Sequence, residues 1–415
     1  MTDTLEYGPV PDDRVTDYQR FLDYAFTPTR STSPPDSVDN LPAPARVSDR
    51  RGLFDGHDLR AICGHFWIDL LVRGEYRSTG GLAEVATLPE DRHQGLVSRL
   101  VRESLDEYRE RDLMFSALWP FEYPFYRKYG WATVSRHART TIDPAALSSA
   151  TTAGSDDDPA TTDDRNEFVR LSADRWADLA SIYETHNRRP LSMRRSETWW
   201  RDRVLTNWGD DPHVYGVERD GELVGYLIYS FESTDEGTRL DVDELGYVDG
   251  AAFRDLLRFC FYHDAQVAEV RIHGPIEEAL TLGDHLAKPD CASIEVRPGP
   301  MLRIVDVPSV LETLATPIDA DASEFTDVVV LEVHDPVIDE NDGRFALRGS
   351  EDGLECTETD ETPAAELDIG TLAQLVVGHR SATEAADAGD IVGDADRLDP
   401  FFPPVSAQPY LREWF

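Results

Sequence analysis

The junction GGLAEVATLPEDRHQGLVSRLVRESLDEYRERD, residues 80–112, constrains this chain more than any other stretch. GGLAEVATL alternates and β-branches like a strand. Beyond it Leu96, Val97, Leu100, Val101, Leu105 and Tyr108 fall on one helical face. A strand that runs through a glycine-containing turn into a helix presents convergent N–H groups and the positive end of the helix dipole. Gly95 has no Cβ, so the backbone there can come close to a pyrophosphate-sized anion. The unit belongs in a mixed α/β sheet.

Around it the coarse order is mixed α/β, a linker, mixed α/β again, then a smaller α+β unit. Upstream, YQRFLDYAF (18–26) reads as a short amphipathic helix and RAICGHFWIDLLVRG as a strand. Downstream come LMFSALWP, a tight aromatic segment FEYPFYRKYGW, and the single strand ATVSRHARTTID. TTAGSDDDPATTDDRN (151–166) has no apolar periodicity and reads as linker. Later, HVYGVERDGELVGYLIYSF is a hairpin turning on Asp-Gly, and EVRIHGPIEEAL is the nearest strand–helix junction of the second half. Its Gly-Pro puts a residue without N–H where a donor is needed. We therefore expect the second α/β unit to act as scaffold.

Composition narrows the function. The net charge is −40, and Lys128 and Lys288 are the only lysines. Nucleic-acid binding is disfavoured by that charge. An anionic surface can recruit cations through its field, or can keep the chain hydrated in a salt-rich cytoplasm. The acid excess runs the whole length and favours the second reading. At molar salt the Debye length is only about 3 Å, which weakens long-range steering. No run of eighteen apolar residues and no secretory leader is read, so the expected location is the cytoplasm, away from membranes. Cys63, Cys260, Cys291 and Cys356 are scattered without metal-ligand spacing, so no metal is expected.

The junction resembles the signature V-x-P-x-x-R-x-x-G-x-[GA] of the GNAT superfamily of N-acetyltransferases. It stands within Val85-Ala86-Thr87-Leu88-Pro89-Glu90-Asp91-Arg92-His93-Gln94-Gly95-Leu96-Val97, with Thr87 for the usual valine and Val97 for a small residue. Phe125-Tyr126-Arg127-Lys128-Tyr129-Gly130-Trp131 resembles that superfamily's F-Y-x-[KR]-x-G-[FW] segment. The resemblance implies acetyl-CoA as co-substrate. Its pantetheine would lie along Val85, Ala86 and Thr87, and its pyrophosphate against Arg92, His93, Gln94, Gly95, Leu96, Val97 and Ser98, with Phe121 and Glu122 nearby. Tyr126 would protonate the leaving thiolate. A phenol of pKa near 10 is protonated at neutral pH and a thiolate of pKa about 8.5 accepts its proton. The plain-core reading suits Phe125, Tyr129 and Trp131 better.

Over essentially the full length the chain resembles the enhanced intracellular survival (Eis) family. That implies an α/β chain of two tandem GNAT-like domains and a C-terminal sterol-carrier-protein-like α+β domain. The expected spans are 1–150 for the catalytic domain, 151–164 for the linker, 165–300 for a degenerate second domain and 301–415 for the last. Met301-Leu302-Arg303-Ile304-Val305-Asp306-Val307 with Leu311 matches the join into that last domain, and Asn341 to Phe345, Leu372, Leu375 and Gly378 fit its pattern. The resemblance further implies a homohexamer, a small cationic amine or lysyl substrate, and an α-carboxylate of the last residue, here Phe415, as the base. An unperturbed α-carboxyl of pKa about 3.5 is a weak base, which partial burial would raise. Chain ends ordinarily fray, but Tyr410, Leu411, Trp414 and Phe415 offer apolar area to bury. The competing reading is an acyl-CoA or lipid-binding protein without transferase activity. Asp23 and Phe26 fall where the family's substrate mouth begins, whereas His57 and His65 read as surface or strand-packing residues.

Overall fold

Long stretches of alternation in residues 49–87 build a meander whose two faces are covered by different helices. The computed structural model describes residues 5–29, 35–151, 166–286, 288–314, 328–350 and 353–415. The chain divides into two compact units, residues 1–135 with 299–415, and residues 136–298.

In the first unit β1 (Leu5–Pro9), β2 (Asp49–Asp55), β3 (Asp58–Val72) and β4 (Glu75–Thr87) run antiparallel in that order. Helix α1 (Val15–Phe26) lays Tyr18, Phe21 and Leu22 on Leu59, Ile62 and Ala86. Helix α2 (Leu96–Glu110) lays Leu96, Leu100, Val101, Leu105 and Tyr108 on the opposite face, against Leu53, Ala61, Cys63 and Leu82. Because α2 crosses between them, β4 and β5 (Phe115–Leu118) pair in parallel. Helix α3 (Tyr123–Arg127) and the short β6 (Ala132–Thr133) follow.

The stretch read as one strand, 132–143, is two. Ala132–Thr133 stays in the first sheet, while Arg136–Ile142 joins the sheet of the second unit. The gap in the first sheet between β5 and β6 is filled by Met301–Ile304, some 170 residues later in sequence. All four of its residues are buried, as befits a central strand. The compact units therefore divide at 135/136 and 298/299, where the sequence reading drew lines at 150 and 300. The linker expected at 151–164 lies, beyond Thr151, outside the described residues.

The last part of the first unit is a five-stranded sheet in the order Gly353–Glu358, Gly343–Ser350, Val329–His334, Ala365–Asp368, Ile391–Gly393. It is tied to the first sheet by a buried ion pair. Arg303, on the inserted strand, is fully buried, donates two hydrogen bonds to Asp335 at 2.6 and 2.7 Å, and a third to the carbonyl of Tyr129. Gly130 sits beside it at φ +88°, in the left-handed region and with the Arg303 guanidinium where a Cβ would go. Removing one partner of such a pair strands a buried charge. Asp335→Ala is expected to lose about 3–5 kcal/mol of stability, read as a lower urea midpoint at fixed salt; a midpoint shift below about 1 kcal/mol would mean the pair is not an anchor.

The second unit repeats the plan. Its sheet runs Ala292–Pro298, Arg136–Ile142, Glu269–Gly274, Gly237–Tyr247, Glu222–Thr234, His213–Arg219, Glu167–Arg170, with the Gly237–Tyr247 and Glu269–Gly274 strands parallel and the helix Gly250–Phe261 crossing between them. The expected hairpin turns on Asp220 and Gly221, both at positive φ. By this topology the junction that corresponds to the one after β4 is not EVRIHGPIEEAL, expected from sequence as the nearest strand–helix junction, but Tyr247-Val248-Asp249. There the Asp249 carboxylate caps the helix, accepting from the backbone of Ala252 at 2.8 Å and from Arg219 at 2.8 Å. The Arg219 guanidinium, then the backbone amide, hold its pKa down at about 2. An anion supplied by the chain itself thus takes the helix N-terminus.

Candidate active site

The site is set by where β4 stops being an ordinary strand. Pairing with β5 covers only Thr79–Phe115, Gly80–Ser116 and Gly81–Ala117. Strand β5 ends at Leu118 while β4 runs on to Thr87, so the two part beyond Gly81 and leave that edge of Leu82–Thr87 open toward β5. On the other side β4 bulges. Ile62 faces Ala86 and Gly64 faces Ala83, so Glu84 and Val85 together oppose Cys63, and Glu84 is driven to φ +58°.

Past Thr87 a single 3-10 turn, Pro89–Asp91, leads into an exposed loop of Arg92, His93, Gln94 and Gly95. His93 at φ +60° and Gly95 at φ +80° turn the backbone left-handed, the pattern that gathers N–H groups into an anion-binding nest. No side chain caps α2, which leaves the first-turn N–H groups of Leu96, Val97 and Ser98 without a side-chain acceptor at the N-cap, and nothing lies within 4 Å of a Cβ built on Gly95. Asp91, which would repel a phosphate, is buried and ion-paired with Arg60. The Arg92 guanidinium lies 5.7 Å from the centre of the Tyr24 ring on α1. Val97 packs against the core, and the Ser98 hydroxyl accepts from Tyr129, tying α2 to the turn after α3.

Helix α3 starts at exposed Glu122, whose side chain makes no cap, and brings Tyr126 into the core. Phe125 at 5.1 Å, Phe121 at 5.7 Å and Trp131 at 6.2 Å meet its ring edge-on. Among the described residues its hydroxyl has no hydrogen-bond partner. Burial raises its pKa well above the ordinary tyrosine value. Phe125, Tyr129 and Trp131 are packing residues of the same cluster.

The chain end is held at the place where β4 and β5 part. Tyr410, Leu411, Arg412 and Glu413 are buried. The Trp119 indole, just past β5, donates to the carbonyl of Glu413 at 2.7 Å and stacks on Trp414 with centroids 3.6 Å apart. The Phe415 ring lies 5.4 Å from Phe66 on β3, and a Cβ on Gly81 would come within 2.9 Å of it. Gly81 and Trp119 escaped the sequence reading. Their signal was there: a Gly-Gly inside a strand marks close approach, and Gly80 makes room for Tyr108 as Gly81 does for Phe415.

The remaining predicted residues stay apart from this cluster. Asp23 accepts from Gln19 one turn earlier, Phe26 is exposed at the end of α1, and the His57 carbonyl accepts from Arg14. His65 is fully buried with Ser104 at 3.0 Å, a strand-packing histidine. Among the described residues no group is arranged to hold a metal, and no helix is long and apolar enough to cross a membrane.

Comparison with known proteins meets this geometry. An acetyltransferase (GNAT) domain family matches residues 6–134, a second one matches 191–304, and the sterol carrier protein domain matches 307–412. An uncharacterized N-acetyltransferase of Streptomyces avermitilis is 26% identical over 359 residues, 82% of each chain. N-acetyltransferase Eis of Mycobacterium tuberculosis is 27% identical over 83% of each. A probable N-acyltransferase of Enterococcus faecalis has the same fold at TM-score 0.82 and 22% identity, covering 99% of this chain and 100% of that one.

Proposed function

We propose that this chain, an N-acetyltransferase of two GNAT domains and a sterol carrier protein domain in the manner of Eis, transfers acetyl from acetyl-CoA to a primary amine in the first domain alone. The co-substrate fits the residues present. Gly95 and the first turn of α2 offer donors and space for a pyrophosphate, and the open edge of Leu82–Thr87 offers strand-like bonds to pantetheine. In the second domain Asp249 takes that place with its own charge, which supports a scaffold role.

The reaction is a direct displacement. The amine nitrogen forms the new bond to the acetyl carbon as the carbon–sulfur bond breaks. The α-carboxylate of Phe415 takes the proton from nitrogen, and Tyr126 gives its phenolic proton to sulfur. Burial keeps Tyr126 protonated until that moment, and its hydroxyl has no competing partner among the described residues. The observation that carries the reading most is the seat of Phe415 on Gly81, where β4 and β5 part. The groove on the last sheet, about 740 Å³, is lined by Asp339, Glu340, Asp342, Arg344, Glu358 and Asp360, a poor setting for an acyl chain. A salt-rich cytoplasm and a hexameric assembly belong to the same reading, the first supported by the charge of −40.

Calorimetry and release of free thiol in molar KCl test it. The wild type is expected to bind acetyl-CoA and to release thiol only when an amine is present. Gly95→Trp, which fills the open space at φ +80°, should abolish measurable binding. A wild type that neither binds acetyl-CoA nor releases thiol would end the proposal.

A further inference from the structure

Acids outnumber bases two to one in this chain, 80 against 40. The loop before α2, its second turn and the end of α3 nevertheless carry four cations in excess. Arg92, Arg102, Arg127 and Lys128 are all exposed, and among the described residues none of them makes an ion pair. Lys128 is, besides, one of only two lysines in the chain.

Two of the four converge on one ring. The Arg102 guanidinium lies 5.7 Å from the centre of Tyr129, and the Lys128 ammonium 5.0 Å from it. That residue is fixed at both ends. Its hydroxyl donates to Ser98 in the first turn of α2, and its carbonyl accepts from buried Arg303. Lys128 also lies 4.1 Å from the centre of the Phe125 ring. Arg102 stands about one helical turn beyond Ser98, and helix side chains lean back toward the N-terminus. Its contact with Tyr129 keeps its charge beside the turn whose N–H groups suit a pyrophosphate.

We propose that Arg102 and Lys128 bind the 3′-phosphate on the ribose of coenzyme A, so that the protein selects full coenzyme A over forms lacking that group. This rests on the acetyl-CoA reading above. The 3′-phosphate hangs from the same ribose as the pyrophosphate, a few bonds away, and carries a charge of about −1.5 to −2 at neutral pH. A pyrophosphate at Gly95 to Ser98 puts it within reach of the neighbouring turn. Arginine offers a planar fork of donors and lysine a compact point charge, and both are established phosphate binders. A surface dense in carboxylates repels a dianion, so a phosphate site needs a local gap in that density. The unpaired cations around Tyr129 make one.

Calorimetry in molar KCl compares acetyl-CoA with 3′-dephospho-acetyl-CoA, identical but for that phosphate. Wild type is expected to bind acetyl-CoA at least about tenfold more tightly, the size of one charge-assisted contact. Arg102→Gln combined with Lys128→Gln should bring the ratio near one by weakening acetyl-CoA alone. An unchanged affinity for the dephospho form reports that the fold and the pyrophosphate turn are intact. Arg127→Gln removes a charge from the same helix end that touches no ring among the described residues, and should leave the ratio where it is. A wild-type ratio near one, a ratio unmoved by the double substitution, or one moved equally by Arg127→Gln overturns the inference alone. Failure of wild type to bind either form overturns the acetyl-CoA reading and this inference with it.

Discussion

One alanine added after Phe415 is expected to lower kcat on amines by about 10²–10⁴-fold while acetyl-CoA affinity changes less than about twofold. The extra residue moves the α-carboxylate by about 3.5 Å, beyond hydrogen-bond reach of a nitrogen that Phe415 would otherwise serve. The fold gives no reason for a wider effect. The terminal segment is fixed upstream of its last atom, by the Trp119 bond to the Glu413 carbonyl and by the Trp119–Trp414 stack. Trp414 is 57% exposed, so the added residue has a route to solvent. A carboxylate near the ordinary α-carboxyl pKa of about 3.5 is always ionised at neutral pH but weakly basic. Partial recovery on adding formate to the extended chain would fit a misplaced proton acceptor. Full activity without it would remove Phe415 from the chemistry.

The residues that made this readable were those governed by local rules. The amphipathic period of α2 and the glycine before it are visible in sequence because helix faces and left-handed turns are set within a few residues. The aromatic turn holding Tyr126 is equally local. The exchange that puts Met301–Ile304 between β5 and β6 is not, since strand partners far apart in sequence leave no periodic trace, and Arg303 interrupts the apolar run that would mark a central strand. The same applies to Asp249. Its role depends on which helix follows the parallel strand, and the Gly-Pro of EVRIHGP was a more conspicuous but topologically different junction. Glu84 was hidden for another reason. A bulge is a mismatch in count between two strands, and neither strand records it alone.

Tyr126→Phe is expected to cut kcat by about 10²-fold or more and to leave both the fold and acetyl-CoA affinity nearly unchanged. The two halves of that expectation have separate physical grounds. Stability is preserved because the ring contacts with Phe121, Phe125 and Trp131 involve the ring and not the hydroxyl, which has no partner among the described residues to lose. Turnover falls because the other phenols of the α3 turn are engaged, Tyr123 donating to the carbonyl of Gly299 and Tyr129 to the Ser98 hydroxyl. The pH dependence follows from the direction of the shift. Burial moves the Tyr126 pKa upward, so the proton-bearing form persists to higher pH than in a free tyrosine. Any alkaline loss of wild-type activity below about pH 10, the ordinary tyrosine value, must then come from another group or from the amine, and Tyr126→Phe should keep that limb while lowering the whole profile. If the substitution instead abolished the alkaline limb, Tyr126 would be titrating in the working range and would not be the buried acid argued for. A kcat within about twofold of wild type would leave the thiolate to water, and the burial of this phenol would need a purely structural explanation.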